Sequence, residues 1–583
     1  MYTLDIESYP NFFLVAFKDD TVINFPTFSK LSDTAIAEIK HLLESVIVTF
    51  NGNNYDMPML AYALSGATVE DLNKLSNTII EKGQPGWMTY EQSRITPLTV
   101  DHIDIKEPTA GVMVSLKIYG GRIHAPRLQD LPLPPDTILT KEDANNIIKY
   151  CENDLDTTRL LYDMQTEQFK LRRKMTKTYG TDMRSKSDAQ VAEAVFRTEL
   201  AKRKVYAKRQ YTFEKKFSYR KPNWLKCRTP ILRRIVDAAC EPGLFELSPK
   251  NKLVLPDTLN KPFELFGRKY KFGVGGLHSQ EKKQAVVPDS DHILFDLDVA
   301  SYYPSIILGE RLFPKHLTNA FLDVYRTIYD ERLKAKETGD VEKAYSLKIA
   351  LNGSFGKFGS EYSFLFAPKL LMQTTITGQL ALLMLIEALE HLDHVEIVSA
   401  NTDGIVIHAH KDQYNNIAQL YTEWELTTGY TLEETYYAGL YSRDVNNYLA
   451  VKPDGKAKGK GIFAPPGLMK NPNMNICYKA ISDYLTKGIA VEQTIQDCDD
   501  IRQFIVVRTV KGGAVWRKEK LGKAIRWYYS TDGESIHYVT NGNKVATSDG
   551  AKPVMNLPDA LPDDIDYTHY SNATNKILGQ IGC

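Results

Sequence analysis

The sequence predicts a multidomain protein of mixed α/β and α+β class. The chain has 583 residues, which is too many for one hydrophobic core when a domain usually holds ~150 residues. Residues 1 to about 165 alternate short β-rich runs with helical patterns, which is typical of an α/β domain. Residues 285–583 combine a strand, several helical stretches and a hairpin, and they indicate a second architecture.

The N-terminal elements follow from local patterns. Residues 3–6, 12–17 and 46–50 are short β-rich runs. Thr140 is a favourable N-cap residue, and the acids at the next positions suit the first turn of a helix. We therefore expect a helix from Thr140 to about Asp163.

The C-terminal half has its own series of elements. The patterns predict a strand over 293–299, helices near 319–337 and 341–355, a long apolar helix near 369–392 and a hairpin over 395–409. The last ~120 residues have a mixed composition with several turn signals. In this half a strand is followed by helices and then by a hairpin, whereas the N-terminal part alternates strands and helices. We therefore predict two fold classes, α/β for the N-terminal part and α+β for the C-terminal part.

The composition excludes several classes of protein. No stretch approaches the ~18 apolar residues of a membrane helix, and the first residues have neither a basic nor an apolar region typical of a signal peptide. The six cysteines contain no CxxC pair, so we expect no structural zinc, iron–sulfur cluster or disulfide framework, and we expect a cytoplasmic location.

One segment is strongly basic although the net charge of the chain is zero. Residues 201–235 hold thirteen Lys/Arg residues and a single acid, Glu214. Six aromatic residues lie between these charges: Tyr206, Tyr211, Phe213, Phe217, Tyr219 and Trp224. Cations beside aromatic rings are typical of a nucleic-acid track. A solvated surface with ordinary core aromatics predicts the same pattern equally well.

Four carboxylates and a tyrosine in the N-terminal part are placed where they can meet. Asp5 and Glu7 lie at positions i and i+2 of the first predicted strand, so both side chains leave one face. Asp56 follows a later strand, and Tyr150 and Asp154 lie one turn apart on a helix. Converging acids need cations, and open oxygen ligands suit Mg²⁺ or Mn²⁺. Two such ions ~4 Å apart can activate a water that attacks a phosphodiester.

In order and context these residues resemble the DEDD-type 3′→5′ proofreading exonucleases that are attached to family B DNA polymerases. The resemblance implies that the four acids bind two metal ions and that Tyr150 positions the attacking water. It also implies contacts with a single-stranded 3′ end, made by Asn51, Tyr55 and the Ser–Leu–Lys motif of Ser115, Leu116 and Lys117.

A second group of acids lies in the C-terminal half. Asp296 and Asp298 lie on one face of an apolar strand. About a hundred residues further on, Asp403 lies in the Asn–Thr–Asp–Gly turn between two alternating strands. A tight hairpin is a rigid mounting for a metal ligand, although the turn taken alone favours an ordinary hairpin.

Cations lie between these acids in the chain. Lys348, Asn352 and Phe355 share one helical face, and Arg332 and Lys336 lie one turn apart just upstream. Two aspartates that hold two Mg²⁺ ions, with three cations for a triphosphate, are close to sufficient for phosphoryl transfer. The sequence has no P-loop and no kinase glycine loop, which disfavours an ATPase or a kinase.

These segments resemble motifs A, B and C of family B DNA polymerases. The resemblance implies that Asp298, the Val299 carbonyl and Asp403 bind metal, and that Tyr303, preceded by Tyr302, excludes ribonucleotides by a clash with the 2′-hydroxyl. It assigns Arg332, Lys336, Lys348 and Asn352 to the incoming nucleotide. The DNA contacts that it implies are Gly275, Gly276, Phe355, Tyr448, Lys458 and Lys460.

The resemblance also implies a domain order. We expect an RNase H-like exonuclease domain at 1–165, a basic connecting segment with the start of the palm at 166–285, palm at 286–318 and 359–465, fingers at 319–358 and a thumb at 466–583. The right-hand arrangement of palm, fingers and thumb comes from the resemblance, not from periodicity.

Three motif positions depart from the family. Asn401 replaces the first aspartate of motif C, Phe355 replaces a tyrosine in motif B, and Asn446 replaces a lysine before the thumb. Because the second aspartate of motif C is the firmer ligand in the family, we expect activity to survive the change at Asn401. The change at Phe355 removes one hydroxyl and places one minor-groove contact in doubt.

The layout is compact and resembles a bacteriophage enzyme. Only 43 residues separate Pro304 from Lys348, which leaves no room for the large insertion of protein-primed enzymes. We expect a monomer that uses dNTPs and primer–template DNA, works with other replication proteins in the cytoplasm (of the host cell if viral) and does not bind membranes. Two alternatives remain open: an exonuclease with a weakened polymerase site, and a polymerase-derived DNA-binding protein.

Overall fold

The computed structural model describes residues 1–109, 114–211 and 213–583. The chain divides into two compact units. The first holds residues 1–187, 466–477 and 495–571, and the second holds residues 188–465, 478–494 and 572–583. The mixed α/β multidomain class is confirmed.

The element bounds follow in chain order. Residues 1–187 form β1 (Tyr2–Tyr9), β2 (Phe12–Lys18), β3 (Val22–Thr27), α1 (Asp33–Leu42), β4 (Ile47–Thr49), α2 (Asp56–Leu64), α3 (Val69–Lys82), α4 (Gly86–Ser93), β5 (His102–Asp104), α5 (Leu116–Arg122), α6 (Lys141–Asp163) and α7 (Thr166–Tyr179). Residues 188–465 form α8 (Asp188–Lys202), β6 (Lys216–Phe217), α9 (Pro230–Ala239), β7 (Phe245–Leu247), β8 (Leu253–Val254), β9 (Phe263–Leu265), β10 (Arg268–Phe272), β11 (Leu277–Ser279), β12 (Gln284–Val286), β13 (His292–Val299), α10 (Tyr302–Gly309), α11 (Ala320–Glu337), α12 (Val341–Lys357), α13 (Pro368–Leu389), β14 (Val395–Asn401), β15 (Gly404–His410), α14 (Tyr414–Thr428), β16 (Leu432–Tyr437), β17 (Gly439–Asp444), β18 (Asn447–Val451) and β19 (Ala457–Lys460). The rest forms α15 (Asn475–Lys487), α16 (Val491–Gln496), β20 (Val506–Trp516), β21 (Glu519–Glu534), β22 (His537–Tyr538), β23 (Ala551–Pro553) and α17 (Tyr567–Gln580).

A five-stranded sheet in the order β3-β2-β1-β4-β5 organises the first unit. Strand β1 pairs antiparallel with β2 and parallel with β4. Helix α6 begins at the predicted N-cap, where Thr140 and Asp143 form a capping box, and it packs on β1 and β2 through residues such as Ile147 and Cys151. This packing places the acids of β1 beside the acid of α6.

The second unit contains an antiparallel sheet in the order β14-β15-β13-β16. Strand β13 pairs with β15 so that Asp298 lies opposite Gly404, next to Asp403 in the β14–β15 turn. The sheet packs on α13, which is long and apolar enough to span a membrane by length and composition, but 89% of its apolar window is buried in the protein. Such a helix is usual in a large core, and here it supports the strands that carry the acids.

The C-terminal stretch 466–583, predicted as a single thumb domain, is divided between the two units. The long β20–β21 hairpin belongs to the first unit because buried Arg526 donates hydrogen bonds to the carbonyls of Ala125, Pro126, Val554 and Met555. A buried guanidinium needs such acceptors to offset its loss of hydration. The sequence carries no local mark of these long-range bonds, and the other domain limits stay predictions.

Candidate active sites

The first site, the N-terminal acidic cluster, consists of Asp5, Glu7, Asp56 and Asp154. Ligand atoms of Asp5, Glu7 and the neighbouring Cys151 lie within 4.8 Å of one another. The four acids come from β1, the start of α2 and the middle of α6, as the sequence predicted. The charges of these acids act on one another, so the structure brings all four predicted acids of this site together.

Burial and mutual repulsion dominate the electrostatics of this cluster. Burial, followed by the charge of Asp154, raises the pKa of Asp5 to about 7. Burial, followed by the charge of Asp5, raises the pKa of Glu7 and the pKa of Asp56 well above their ordinary values. Clustered carboxylates in this state are stabilised by a bound cation, because the cation offsets both lost hydration and repulsion.

One buried atom of the cluster fits a metal ligand directly. Asp56 is 3% exposed, and among the described residues its buried Oδ1 atom has no hydrogen-bond partner. Buried polar atoms are nearly always paired, so an unpaired carboxylate oxygen beside other acids indicates a cation site. The donors are hard oxygens, which suits Mg²⁺ or Mn²⁺.

Lys117 is a functional residue whose role the sequence prediction missed. Its ammonium group donates hydrogen bonds to both carboxylate oxygens of Asp154 and lies 4.0 Å from the centre of the Tyr150 ring. From the sequence, Lys117 was predicted only as part of a motif with Ser115 and Leu116 that contacts a single-stranded 3′ end. In the structure Ser115 is the N-cap of α5 and Leu116 packs in the adjacent core, so this motif delivers a cation to the acids.

Asp104, at the end of β5, is a second residue that the sequence prediction missed. Its two carboxylate oxygens accept hydrogen bonds from the backbone N–H groups of Asn51 (2.8 Å) and Asn53 (3.0 Å). Asn51 has a positive φ of 71°, and a Cβ atom on Gly52 would lie 2.0 Å from the Thr49 hydroxyl. Asp104 thus holds the sharp turn that leads to Asp56. Its position, as an acid at the end of an apolar strand, is the one sequence feature that could have pointed to this role.

The residues near this turn that were predicted to contact a single-stranded 3′ end have hydrogen-bond partners within the protein. The amide oxygen of Asn51 accepts from Lys106 Nζ (2.9 Å) and from Asn54. The Tyr55 hydroxyl lies 2.8 Å from the Ser76 hydroxyl. Tyr150 is buried, and burial raises the pKa of its hydroxyl, which therefore stays protonated. Contacts of Asn51 and Tyr55 with a nucleic acid remain predictions.

The second site is a cavity of about 790 Å³ in the second unit, and we call it the C-terminal cavity. Ten residues predicted from motifs A, B and C and from the Arg332–Lys336 pair line it: Asp298, Val299, Tyr302, Tyr303, Arg332, Lys336, Lys348, Asn352, Phe355 and Asp403. The strand β13 and the β14–β15 turn supply the aspartates, and α11 and α12 supply the cations. The backbone N–H of Val299 donates to the Asp403 carbonyl (2.7 Å), which ties the strand to the turn.

The two aspartates of the cavity are close enough to affect each other. Burial, followed by the charges of Asp403 and Asp296, raises the pKa of Asp298 to about 7, and the Lys458 charge opposes this shift. The carboxylate of Asp296 accepts a hydrogen bond from the Tyr437 hydroxyl (3.0 Å) and does not line the cavity. The carboxylate oxygens of Asp298 and Asp403 suit the same divalent cations as the oxygens of the N-terminal acidic cluster.

Glu433 is a third acid in the cavity, and the sequence prediction missed it. It lies opposite Asp298 in the β13–β16 pairing, and its carboxylate lies 3.8 Å from Lys336 Nζ. The alternating strand 432–437 places this side chain on the same face as Asp298. Sequence alone does not pair two strands more than a hundred residues apart, so the acid carried no distinctive signal.

Tyr303 is held by two contacts inside the cavity. Its ring stacks on Phe355 with 4.3 Å between ring centres, and its hydroxyl donates to the Gly275 carbonyl. Tyr302 is buried and donates to the Gly378 carbonyl (2.6 Å). The predicted partner of a nucleotide sugar is therefore Tyr303, and Tyr302 supports the helix behind it.

One of the two predicted glycines, Gly276, approaches the turn that carries Asp403 closely. A Cβ atom on Gly276 would lie 2.7 Å from the Thr402 side chain and 2.8 Å from its Cα atom. Any larger residue at this position would push against the turn that holds Asp403. The glycines do not line the cavity itself, but they support its floor.

The predicted primer contacts lie beside the cavity. Lys460 Nζ lies 5.7 Å from the centre of the Tyr448 ring. Tyr448 lines a small space together with Asp296 and Asn401, and the charges of Lys458 and Lys460 lower the pKa of Asp296 against the larger effect of burial. A contact of these three residues with DNA remains a prediction.

Comparison with known proteins gives limited similarity to DNA polymerases. The chain is 22% identical over 155 residues to "DNA polymerase 1" of Sulfolobus acidocaldarius, and 24% identical over 245 residues to "DNA polymerase 1" of Aeropyrum pernix. These matches cover 25% and 36% of this chain, and only 18% and 24% of the relatives' lengths. No protein-family model matches.

A solved structure of the family B DNA polymerase from Pyrobaculum calidifontis aligns with all of this chain and with 77% of its own length. The TM-score is 0.42 and the sequence identity is 12%. Both curated relatives carry the name of a DNA polymerase.

Proposed function

We propose that this protein is a family B DNA polymerase that extends a primer 3′-hydroxyl by two-metal phosphoryl transfer and proofreads with a 3′→5′ exonuclease. The observation that carries the proposal is that ten residues from four separated segments, both acids and cations, line one cavity. Acids for metal ions together with cations suit a triphosphate, whose charge must be neutralised while its reacting phosphorus is positioned.

The acids, the cations and the aromatic residues of the C-terminal cavity have distinct roles in this proposal. Asp298, Asp403 and the Val299 carbonyl would hold Mg²⁺, with Glu433 beside them, and the metal would supply charge stabilisation for the attacking and leaving oxygens. Arg332, Lys336 and Lys348 bind the triphosphate. Asn352 and Phe355 face the nascent base pair, and Tyr303 presents its ring to the sugar, where it excludes a 2′-hydroxyl.

The N-terminal acidic cluster would hold the same kind of ions for hydrolysis. Asp5, Glu7, Asp56 and Asp154 supply the oxygen ligands, and Tyr150, protonated and buried beside them, can orient a water by its hydroxyl. Lys117 holds Asp154 in place and limits the net negative charge. The proposal further includes dNTPs and primer–template DNA as ligands, other replication proteins as partners, and a compact bacteriophage-like monomer in the cytoplasm that does not bind membranes.

Two variants separate the two activities. Asp403→Ala removes an acid from the C-terminal cavity only, and we expect primer extension with Mg²⁺ and dNTPs to fall at least ~1000-fold, because metal contacts supply several kcal/mol of stabilisation. The same variant should degrade single strands like the wild type. Asp5→Ala combined with Glu7→Ala should do the reverse.

A single assay on a labelled primer with a matched or mismatched 3′ end measures both activities. If Asp403→Ala still extends the primer, the polymerase assignment is wrong. If the double variant still shortens the 3′ end at the wild-type rate, the exonuclease assignment is wrong. Wild-type protein that only degrades DNA would favour the exonuclease alternative, and protein that only binds DNA would favour the binding alternative.

A further inference from the structure

Two exposed tyrosines flank an arginine on the surface of the second unit. Tyr211 is 79% exposed and Tyr362 is 75% exposed. The Arg209 guanidinium lies 5.2 Å from the centre of the Tyr211 ring and 4.9 Å from the centre of the Tyr362 ring. We call these three residues the stacking platform. Exposed aromatic rings held beside a guanidinium offer flat faces on which a planar ligand can stack.

The platform is fixed by the chain segments beneath it. Arg209 Nε donates to the Glu361 carbonyl (2.9 Å), and Phe213 packs edge-to-face on Phe366 with 4.8 Å between ring centres. Arg197 donates to the Ala207 carbonyl (3.0 Å). The segment after α8 and the segment after α12 are thus held side by side, with one tyrosine on each.

The aromatic residues of the basic segment divide into two groups. Phe217 and Tyr219 are buried in the core, and Phe213 and Trp224 pack against it. Tyr206 and Tyr211 are both more than three-quarters exposed. Four of the six rings therefore belong to the hydrophobic core, as the interpretation of an ordinary solvated surface expects. Only the two exposed rings, Tyr206 and Tyr211, are available for stacking on a nucleic acid.

A basic cavity of about 880 Å³ begins beside the platform, at Gln210 and Phe213. Its lining includes five exposed cations, Arg220, Lys221, Arg311, Lys315 and Lys369, against two carboxylates, Glu214 and Glu310. In the part of the chain that the structure describes, none of the five cations forms an ion pair. Unpaired cations beside exposed rings fit a ligand with phosphates and unstacked bases.

Helix α10 connects this cavity with the C-terminal cavity. Its first residues, Tyr302 and Tyr303, line the C-terminal cavity, and its last residue, Gly309, lines the basic cavity. Eight residues of α-helix span ~12 Å, which is the length of a few nucleotides.

We propose that the stacking platform and the basic cavity bind unpaired DNA, as the single-stranded template ahead of the polymerase site. Bases stack on the free faces of Tyr211 and Tyr362, and the cations of the cavity bind the adjoining phosphates. The assignment to the template strand rests on the proposed polymerase function, whereas the binding of unpaired DNA does not.

Binding of a fluorescent oligo(dT) 20-mer, measured by anisotropy, tests the platform. Tyr211→Ala combined with Tyr362→Ala should weaken binding about tenfold or more, because a stacked base loses its aromatic partner. Tyr211→Phe combined with Tyr362→Phe should bind within twofold of the wild type, since the ring and not the hydroxyl is required. Tyr484→Ala, at an exposed tyrosine in α15, is the matched control.

Further arms identify what the platform recognises. Linear polyphosphate, which has no bases, should bind the double alanine variant and the wild type equally. Lys221→Ala combined with Lys369→Ala should instead reduce the slope of log Kd against log salt by ~0.7 for each phosphate that is no longer neutralised. Unchanged oligo(dT) binding by the double alanine variant overturns the proposal, and so does an equally large weakening of polyphosphate or duplex DNA binding.

Extension assays separate this inference from the polymerase assignment. On primer–templates with a 3- or a 20-nucleotide template overhang, the wild type should bind the long overhang more tightly, and the double alanine variant should lose that preference while its maximal extension rate is kept. Absence of any extension by the wild type contradicts the polymerase function but leaves the oligo(dT) result standing. Normal extension with an unchanged overhang preference contradicts the template assignment alone.

Discussion

The N-terminal acidic cluster and the C-terminal cavity both gather carboxylates, but they neutralise them differently. In the cluster an internal cation, Lys117, bonds directly to Asp154. In the cavity the Lys336 ammonium lies 3.8 Å from the Glu433 carboxylate, and the Arg332 guanidinium donates to the Ser301 hydroxyl (2.6 Å). These cations hold the acids of their site less closely than Lys117 holds Asp154, which is the arrangement that the proposed triphosphate ligand would need.

The strongest way to break this comparison is to remove the cation of the cluster. Lys117→Met leaves Asp154, of which 10% of the side chain is exposed, beside other acids without a partner, and loss of one member of a buried ion pair costs ~3–5 kcal/mol. We expect a lower free energy of unfolding in EDTA, measured by urea denaturation, and a larger stabilisation by Mg²⁺ than in the wild type.

A surface ion pair of the same unit provides the control. Lys74 pairs with Glu70 at 2.8 Å, with both side chains mostly exposed, so Lys74→Met should lower the free energy of unfolding far less than Lys117→Met. Equal stability of Lys117→Met and the wild type in EDTA would show that Lys117 does not stabilise the acids.

The comparison also shows what the sequence could predict. Spacing along one element placed side chains correctly: Asp5 with Glu7 on β1, Tyr150 with Asp154 on α6, and Arg332 with Lys336 on α11. These relations depend only on the period of a strand or a helix. They therefore survive folding unchanged.

The residues that were missed all act through tertiary contacts. Asp104 supports a turn fifty residues upstream, Lys117 reaches Asp154 on another helix, and Glu433 pairs with a strand far away in the chain. The division of residues 466–583 has the same cause, since Arg526 is bound to carbonyls four hundred residues distant. Strand register and long-range pairing are set by the whole core, and no local pattern records them.

The specificity of the cavity can be tested at its sugar-facing residue. Tyr303→Ala removes the ring that stacks on Phe355, and we expect the preference for dNTPs over rNTPs in kcat/KM to fall roughly 10–100-fold, because a pocket rejects an extra hydroxyl mainly by shape. Tyr303→Phe keeps the ring and loses only the bond to Gly275.

Single-nucleotide extension kinetics with dCTP and rCTP measure this preference. Tyr303→Phe should discriminate like the wild type. If Tyr303→Ala also discriminates like the wild type, Tyr303 does not set the preference for the sugar.

A pH series compares the electrostatic strain of the two sites. Asp5 and Asp298 each have a pKa raised to about 7. Between the ordinary value near 4 and about 7, the folded state therefore binds more protons than the unfolded state, so stability falls as pH rises. The Tm in EDTA should decrease by several degrees from pH 5 to pH 8, at ~2–4 °C per kcal/mol, and Mg²⁺ should reduce this decrease.

Asp5→Asn and Asp298→Asn assign the slope to the sites. Each substitution should flatten the dependence of Tm on pH in EDTA, and the double substitution should flatten it further. If neither variant changes the slope, the titrating groups lie elsewhere, and the raised pKa of Asp5 and of Asp298 is contradicted.

The smallest expected effect concerns Asn401, which stands where the resemblance expects the first aspartate of motif C. Asn401 lines a small space with Asp296 and Tyr448 but does not line the C-terminal cavity. A carboxylate at position 401 would therefore act on the proposed metal ions only through its electric field, at ~1 kcal/mol or less in a hydrated setting. We expect Asn401→Asp to lower the Mg²⁺ concentration for half-maximal extension and to change the maximal rate less than about fivefold, whereas neutral Asn401→Ala should leave the Mg²⁺ dependence unchanged. A rate change above tenfold for Asn401→Asp would mean that position 401 contacts the metal directly, and the cavity would then need the same dense set of acids as the cluster.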